Sequence, residues 1–287
     1  MNLEKKLTKH FVNGDEKTNY LEDIIYVFFF ILEIFKEKRT TQNKLFFDDY
    51  KNFYDLKFNK ENLLKLAPSR ILCEFFLLGW LKKNFNPDSK VNILDVGCGN
   101  TTALRVFKKY FKKFNYFGCD LNERENWKDL KKNGLNLFKY EIGKKFEKDL
   151  PKIDIIHSQS VFEHVKYDLS GFKILAEKFK ETKQIHFLPA PISFLNYEKH
   201  GYRRYSYKDL LKLKKILPGD KMEIYSIGGT RALKYHFNFL LNNKFKKNFK
   251  LTKFLKCKNT FNKSFDLLRF LISDNSKSLP VFYAIEF

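Results

Sequence analysis

A chain of 287 residues, 44% of them hydrophobic and 17% aromatic, carries enough apolar surface for one large domain or two modest ones. That excludes a disulfide miniprotein and a low-hydrophobicity disordered polymer, and 12 Gly and 7 Pro leave few flexible linkers. The formal net charge is +22, and residues 191–287, with 20 basic and 7 acidic groups, hold +13 of it; only 8 of the 55 basic residues are Arg, so charge alone does not specify a nucleic-acid partner.

Cys73, Cys98, Cys119 and Cys257 lie far apart with no C-x-x-C pair, which offers neither a zinc knuckle nor a thioredoxin-type site and fits reduced thiols in a cytoplasm. The first 20 residues mix charges, and the strongest apolar run, Ile24 to Leu32, follows Glu22 and Asp23 and is too short to span a bilayer. Neither a signal peptide nor a transmembrane helix is expected.

From Tyr20 to about Lys83 the pattern is helical: one apolar stretch through Ile24, Phe28, Ile31 and Phe35, and a second through Leu63, Leu66, Ile71, Phe75, Leu78 and Leu81, punctuated at Asn59–Asn62 and Pro68-Ser69. Residues 1–88 are read as a helical cap packed on the next domain, residues 89–287. After Asn86-Pro-Asp-Ser89, short apolar runs alternate with charged helical stretches, the pattern of βαβ units with a parallel sheet. Strands are expected at Asn92–Val96, Asn115–Cys119, Leu135–Ile142, Ile153–Ser158, Gln184–Pro189, Met222–Ile227 and Val281–Phe287, with helices between the first five.

The segment Ile93-Leu-Asp95-Val-Gly97-Cys98-Gly99-Asn-Thr101-Thr102 is an apolar strand running into an acid, two glycines and a helix start. Glycines there let backbone approach a ligand closely. A dinucleotide fingerprint wants a third glycine where Thr102 stands, so a ligand without a pyrophosphate fits better. Asp120, 21 positions after Gly99 at the end of the next strand, is placed to accept both hydroxyl hydrogens of a ribose.

This ordered set resembles the class I S-adenosylmethionine-dependent methyltransferases over roughly residues 90–230 and the final strand. The resemblance implies a Rossmann-like, doubly wound seven-stranded α/β sheet whose last strand is antiparallel, with S-adenosylmethionine as cofactor. It also implies that Asp95, Gly97, Cys98 and Gly99 line the methionine and ribose side, that Asp120 holds the ribose and that Leu121 lies against the adenine. The acid usual after strand three is assigned to Glu141. Ile153-Asp-Ile-Ile-His157-Ser158-Gln-Ser-Val161-Phe-Glu163-His164-Val165 resembles the family's fourth-strand segment, which brings Ser158 to the cofactor and His164 near the sulfonium. Ser158-Gln159-Ser160 replaces the Pro-Pro-aromatic signature of enzymes that methylate base amines.

Downstream of Pro189-Ala-Pro191, the stretch His200-Gly-Tyr202-Arg203-Arg204-Tyr205-Ser206 is similar to an acceptor-side segment of small-molecule and sugar methyltransferases. That makes His200, Tyr202, Arg203 and Arg204 candidate substrate contacts, with the two arginines suited to clamping an anion or to being neutralised by Glu198 and Asp209. Ser206 with Asp209 reads as a helix N-cap. His164 and His200 are the candidate bases. No His-x-x-x-His and no carboxylate cluster is present in the sequence, so no metal site is expected.

Between Ile224 and Phe265 ten Lys or Arg residues occur without an acid, interleaved with aromatic and aliphatic residues, which reads as a basic helical insertion at about 232–272. It suits packing with a solvated lysine face, peripheral contact with an anionic membrane, or a polyphosphate backbone. The leading reading is O-methylation of a small molecule, or of a sugar in a surface glycan or lipid-linked precursor. An RNA methyltransferase using the basic segment is the second choice, and a non-catalytic cofactor-binding protein the third.

Overall fold

A computed structural model describes residues 13, 15–17, 19–37, 67–193, 200–218, 221–236, 264–272 and 279–287. Their helices are α1 (Tyr20–Lys36), α2 (Pro68–Asn84), α3 (Leu104–Tyr110), α4 (Trp127–Lys132), α5 (Asp168–Lys178), α6 (Tyr207–Ile216) and α7 (Ser264–Ile272), with a further helical run at 230–236. The strands are β1 (Val91–Val96), β2 (Phe114–Asp120), β3 (Asn136–Lys139), β4 (Ile155–Gln159), β5 (Lys183–Pro189), β6 (Glu223–Ile227) and β7 (Phe282–Glu286). They form one sheet in the order β3-β2-β1-β4-β5-β7-β6. β1 to β5 pair in parallel and β7 runs antiparallel to both its neighbours, as expected for this fold.

Both faces are buried because side chains alternate along each strand. Ile93, Ile155, Phe187 and Ala284 join one core with α2, α3 and α7, whereas Leu94, Ile156, Leu188 and Tyr283 join the other with α5 and α6. α2 belongs to the first of these cores. Its Phe76 ring lies 6.0 Å from Phe187 and 5.1 Å from Tyr225, Trp80 and Leu81 are fully buried, and Glu74 pairs with Arg105 of α3. Pro68 opens α2 at its first turn, where a missing N–H is harmless, instead of interrupting a longer helix. Leu63, Leu66 and Asn59–Asn62 lie outside the described residues.

α1 begins with a capping box: Asn19 Oδ1 accepts from Glu22 N at 2.9 Å and Asn19 N donates to Glu22 Oε2 at 2.8 Å. Its apolar residues Ile24, Phe28, Ile31 and Phe35 are exposed, and Tyr26 is buried. The helix attaches by polar contacts. Tyr26 Oη donates to the carbonyl of Gly201 at 3.0 Å, and Glu37 Oε1 accepts from Tyr207 N at 3.0 Å and Tyr283 Oη at 2.8 Å.

One expectation fails between β3 and β4, where residues 140–154 contain no helix. Midway along this lysine-rich link, Phe146 packs on Phe138, Tyr140 and Phe179, and its carbonyl accepts from Lys178 Nζ at 2.6 Å. β3 is correspondingly short, ending at Lys139 because Tyr140–Gly143 turns away, with Gly143 at φ +96°. Of the basic insertion, residues 237–263, including Cys257, lie outside the described residues; residues 230–236 and 264–272 are helical. No helix among the described residues is long and apolar enough to cross a membrane.

His186 on β5 is fully buried, with Nδ1 2.8 Å from Ser158 Oγ and Nε2 3.3 Å from Gln184 Oε1. Burial, helped by the charge of His157, pushes its pKa down from 6.5 to about 3. The unfolded chain therefore takes up this proton well before the folded one, and stability falls as pH drops from about 6.5 to about 3, by at most about 1.4 kcal/mol per pH unit. Denaturant unfolding at pH 7.5 and pH 5 should show that loss, and His186→Gln should reduce it; an unchanged pH slope in the variant would contradict the assignment.

Candidate active site

The strand order reverses between β1 and β4, and the carboxyl ends of the strands at such a switch point form a natural ligand crevice. The turn after β1 is built for close approach. Gly97 has φ +67°, and a Cβ there would lie 2.4 Å from Val161; Gly99 has φ +49°, and a Cβ there would meet nothing within 4 Å. The first glycine is a packing requirement and the second faces open space. Thr101 (φ 58°) and Ser160 (φ 54°) also hold the left-handed conformation, which non-glycine residues adopt only where their surroundings enforce it.

Two supports of this turn were not singled out from the sequence. Trp127, 1% exposed, donates its indole N–H to the carbonyl of Gly99 at 2.8 Å, and Gly118 leaves room for Cys98, whose Sγ would sit 2.9 Å from a Cβ there. The indole N–H of a buried tryptophan commonly pairs with a carbonyl, and in an acid- and lysine-rich stretch the lone indole was the available signal. Cys98 itself is buried and its backbone N donates to the carbonyl of Cys119 at 2.9 Å. Burial and the charge of Asp95 push its thiol well up, so it is inert.

Asp120 ends β2 with its carboxylate turned back to the glycine turn. Oδ2 accepts from Gly99 N at 2.9 Å, and Oδ1 accepts from Asn122 N at 3.3 Å and lies 3.4 Å from Arg124 Nη2. Gly97, Gly99, Asp120, Leu121 and Glu141 share the wall of a cavity of about 930 Å³ with Tyr140, Ser160, Val161, His164 and Tyr202. Leu121 is 58% exposed there, offering an apolar surface to the cavity.

Asp95 does not reach that wall. It lies beneath it, 3% exposed, accepting from Tyr116 Oη and pairing with His157 Nδ1 at 2.8 Å. The β1–β4 register sets Asp95 directly beside His157. Both line a small adjoining cavity of about 60 Å³ with Arg70, Cys98, Thr102 and Gln159, and Gly97 and Ser160 belong to both cavities. His157 Nε2 is buried without a hydrogen-bond partner.

Ser158 is not brought to either cavity. Alternation along β4 turns it to the opposite face, against His186, and Ser160, beyond the strand end, lines the cavity instead.

His164 lines the large cavity, and its Nδ1 lies 2.6 Å from Asp15 Oδ2. His200 Nδ1 lies 2.9 Å from Asp15 Oδ1, and burial lowers the His200 pKa. Burial of Asp15 opposes ionisation, but the charges of His164 and His200 and its hydrogen bonds hold its carboxyl below the usual range. Arg203 and Arg204 are 7% and 2% exposed and are not on the cavity wall. Arg203 pairs with Asp168 at 2.5 Å and donates to the carbonyl of Lys166 at 2.6 Å; Arg204 donates to the carbonyls of His200 and Arg203. They brace the loop from within, and the acid that neutralises Arg203 is Asp168; Glu198 lies outside the described residues. Ser206 caps α6 in a capping box with Asp209.

The strand order and the glycine turn at its switch point decide the fold. It is that of the class I methyltransferases. Among solved structures the chain is similar to the methyltransferase domain of bacterial CtHen1 (14% identity, TM-score 0.48, covering 76% of this chain and 98% of that one). It is similar too to the plantazolicin methyltransferase BamL in complex with a desmethylPZN analog and SAH (15%, 0.48, 83% and 89%) and to a SAM-dependent methyltransferase from Archaeoglobus fulgidus (16%, 0.44, 74% and 93%). No protein-family model and no curated protein matches the sequence.

The contact between Gly97 and Val161 makes a sharp prediction. Gly97→Ala should destabilise the fold by about 1–3 kcal/mol through clash and a strained positive φ. Thermal unfolding of Gly97→Ala, Val161→Ala and the double variant checks it: the double variant should recover part of the loss, and strict additivity would show that the two residues do not compete for space.

Proposed function

We propose that this protein transfers a methyl group from S-adenosylmethionine to a hydroxyl of a small molecule, or of a sugar in a surface glycan or lipid-linked precursor. The observation that carries the reading is the Asp120 carboxylate, tied to Gly99 N at the switch point and standing on the wall of the large cavity. Its remaining lone pairs suit a ribose diol. The open space over Gly99 suits a ligand pressed onto backbone, and Leu121 with Tyr140 offers an apolar slot for a purine. Beside Asp95, the small cavity holds Arg70 and the unpartnered His157 Nε2, a set suited to the zwitterionic end of an amino acid. A volume of about 930 Å³ lies near the top of the range for small-molecule sites and leaves room for an acceptor beside a nucleoside.

When bound, the cofactor supplies an electrophilic methyl on a sulfonium. The chain's part is to hold donor and acceptor in line and exclude competing water, which accounts for most of the rate in such displacements. As the C–O bond forms and the S–C bond breaks, the acceptor hydroxyl must lose its proton. His164 is the ionisable imidazole on the wall, backed by Asp15, and Tyr202 lies on the same wall to position the acceptor.

Asp120→Ala should weaken S-adenosylhomocysteine binding at least tenfold by calorimetry while its circular dichroism stays that of the wild type. Equal affinity would remove the ribose assignment. Labelled methyl followed into host extract, with and without nuclease, then separates acceptor classes: label that survives nuclease and disappears with Asp120→Ala fits the proposal, and label lost to nuclease assigns the enzyme to RNA.

A further inference from the structure

Around His164, at the edge of the cavity, there are more donor atoms than proton transfer needs. One carboxylate behind one imidazole makes a general base. Here one carboxylate meets two: Asp15 Oδ2 lies 2.6 Å from His164 Nδ1, and Oδ1 lies 2.9 Å from His200 Nδ1. The imidazole rings stand 4.4 Å apart at 82°. One ligand atom from each of the three side chains falls within 4.8 Å of the others, so small rotations bring all three to about 2.1 Å from a single ion. All three side chains keep access to solvent, at 33%, 35% and 39% exposure for His164, Asp15 and His200.

Glu163 lies directly behind this group. It is 1% exposed, its Oε2 has no hydrogen-bond partner, and its Oε1 lies 3.9 Å from His164 Nε2. A buried carboxylate needs neighbouring positive charge, and His164 and Arg204 supply part of it. The backbone holds the parts together: Gly201 N donates to Asp15 Oδ2 at 3.0 Å, and Tyr202 N donates to the carbonyl of Glu163 at 2.7 Å. Gly201 is obligatory in this arrangement, because at φ +67° a Cβ would lie 2.6 Å from that carbonyl oxygen.

We propose that Asp15, His164 and His200 form a binding site for a divalent first-row transition cation, with Glu163 as the buried acid behind it. Two imidazoles and a carboxylate suit Mn²⁺, Fe²⁺, Co²⁺ or Zn²⁺, whereas Mg²⁺ and Ca²⁺ prefer shells of oxygen. Three protein donors leave coordination positions for water or for an oxygen of a ligand. The ligands span 185 positions of sequence, which is why no local motif announced them.

The site stands whether or not the cavity takes an S-adenosyl cofactor, so its test reads the ion directly. The full chain, stripped with a chelator and titrated with Co²⁺, should develop visible d–d absorption saturating at one equivalent, and Zn²⁺ should displace it. His164→Ala and His200→Ala should each weaken binding at least tenfold. Asp15→Asn, nearly isosteric and half-exposed, should do the same while unfolding like the wild type. No saturable absorption, thiolate charge-transfer bands that place the ion on a cysteine, or wild-type titration of Asp15→Asn would overturn the assignment.

Discussion

The site rests on one close contact, between the backbone at Gly97 and the side chain of Val161. It joins the turn after β1 to the turn after β4, the two strands flanking the reversal of strand order. With these loops pressed together, Gly99 is left bare toward the cavity and Asp120 can reach back to its N–H. Thr101 and Ser160, both at positive φ, lie within a few residues of that contact. Strand pairing fixes the height of each group: Asp95 beside Gly118, and Asp120 beside Lys139.

The N-terminal helices divide into two roles. α2 is a structural wall of the sheet, bound by aromatic packing and the Glu74–Arg105 pair. α1 and the short segment before it act on residues 200–207 instead. Asp15 holds His200 and Gly201, Tyr26 holds the carbonyls of His200 and Gly201, and Glu37 holds Tyr207 N. The loop at 200–207 is thus clasped from one side by α1 and braced from inside by Arg203 and Arg204.

What the sequence made legible was local. Asp95, Gly97, Gly99 and Asp120 lie within 26 residues, and an apolar strand running into glycines has few structural solutions. All seven strands were visible because a sheet covered on both faces demands unbroken apolar runs. Legibility ended where pairing across distance decides. Ser158 and Ser160 look alike in the sequence, but strand alternation buries the first against His186 and sends the chain past the strand before the second. Arg203 and Arg204 read as an anion clamp because nothing local revealed that Asp168, 35 positions upstream, already holds one of them. Asp15 could not be connected with His164 or His200 at all, since only the folded chain brings the N-terminal segment against them.

The placement of the two tryptophans has a practical meaning for spectroscopy. Trp80 is sealed among aromatic rings of the sheet's core, far in character from any ligand, whereas the indole of Trp127 is fastened to the carbonyl of Gly99. The protein therefore carries one fluorophore fixed in the core and one bonded to the turn that lines its large cavity. Emission from the second is a native gauge of that turn's state, requiring no label.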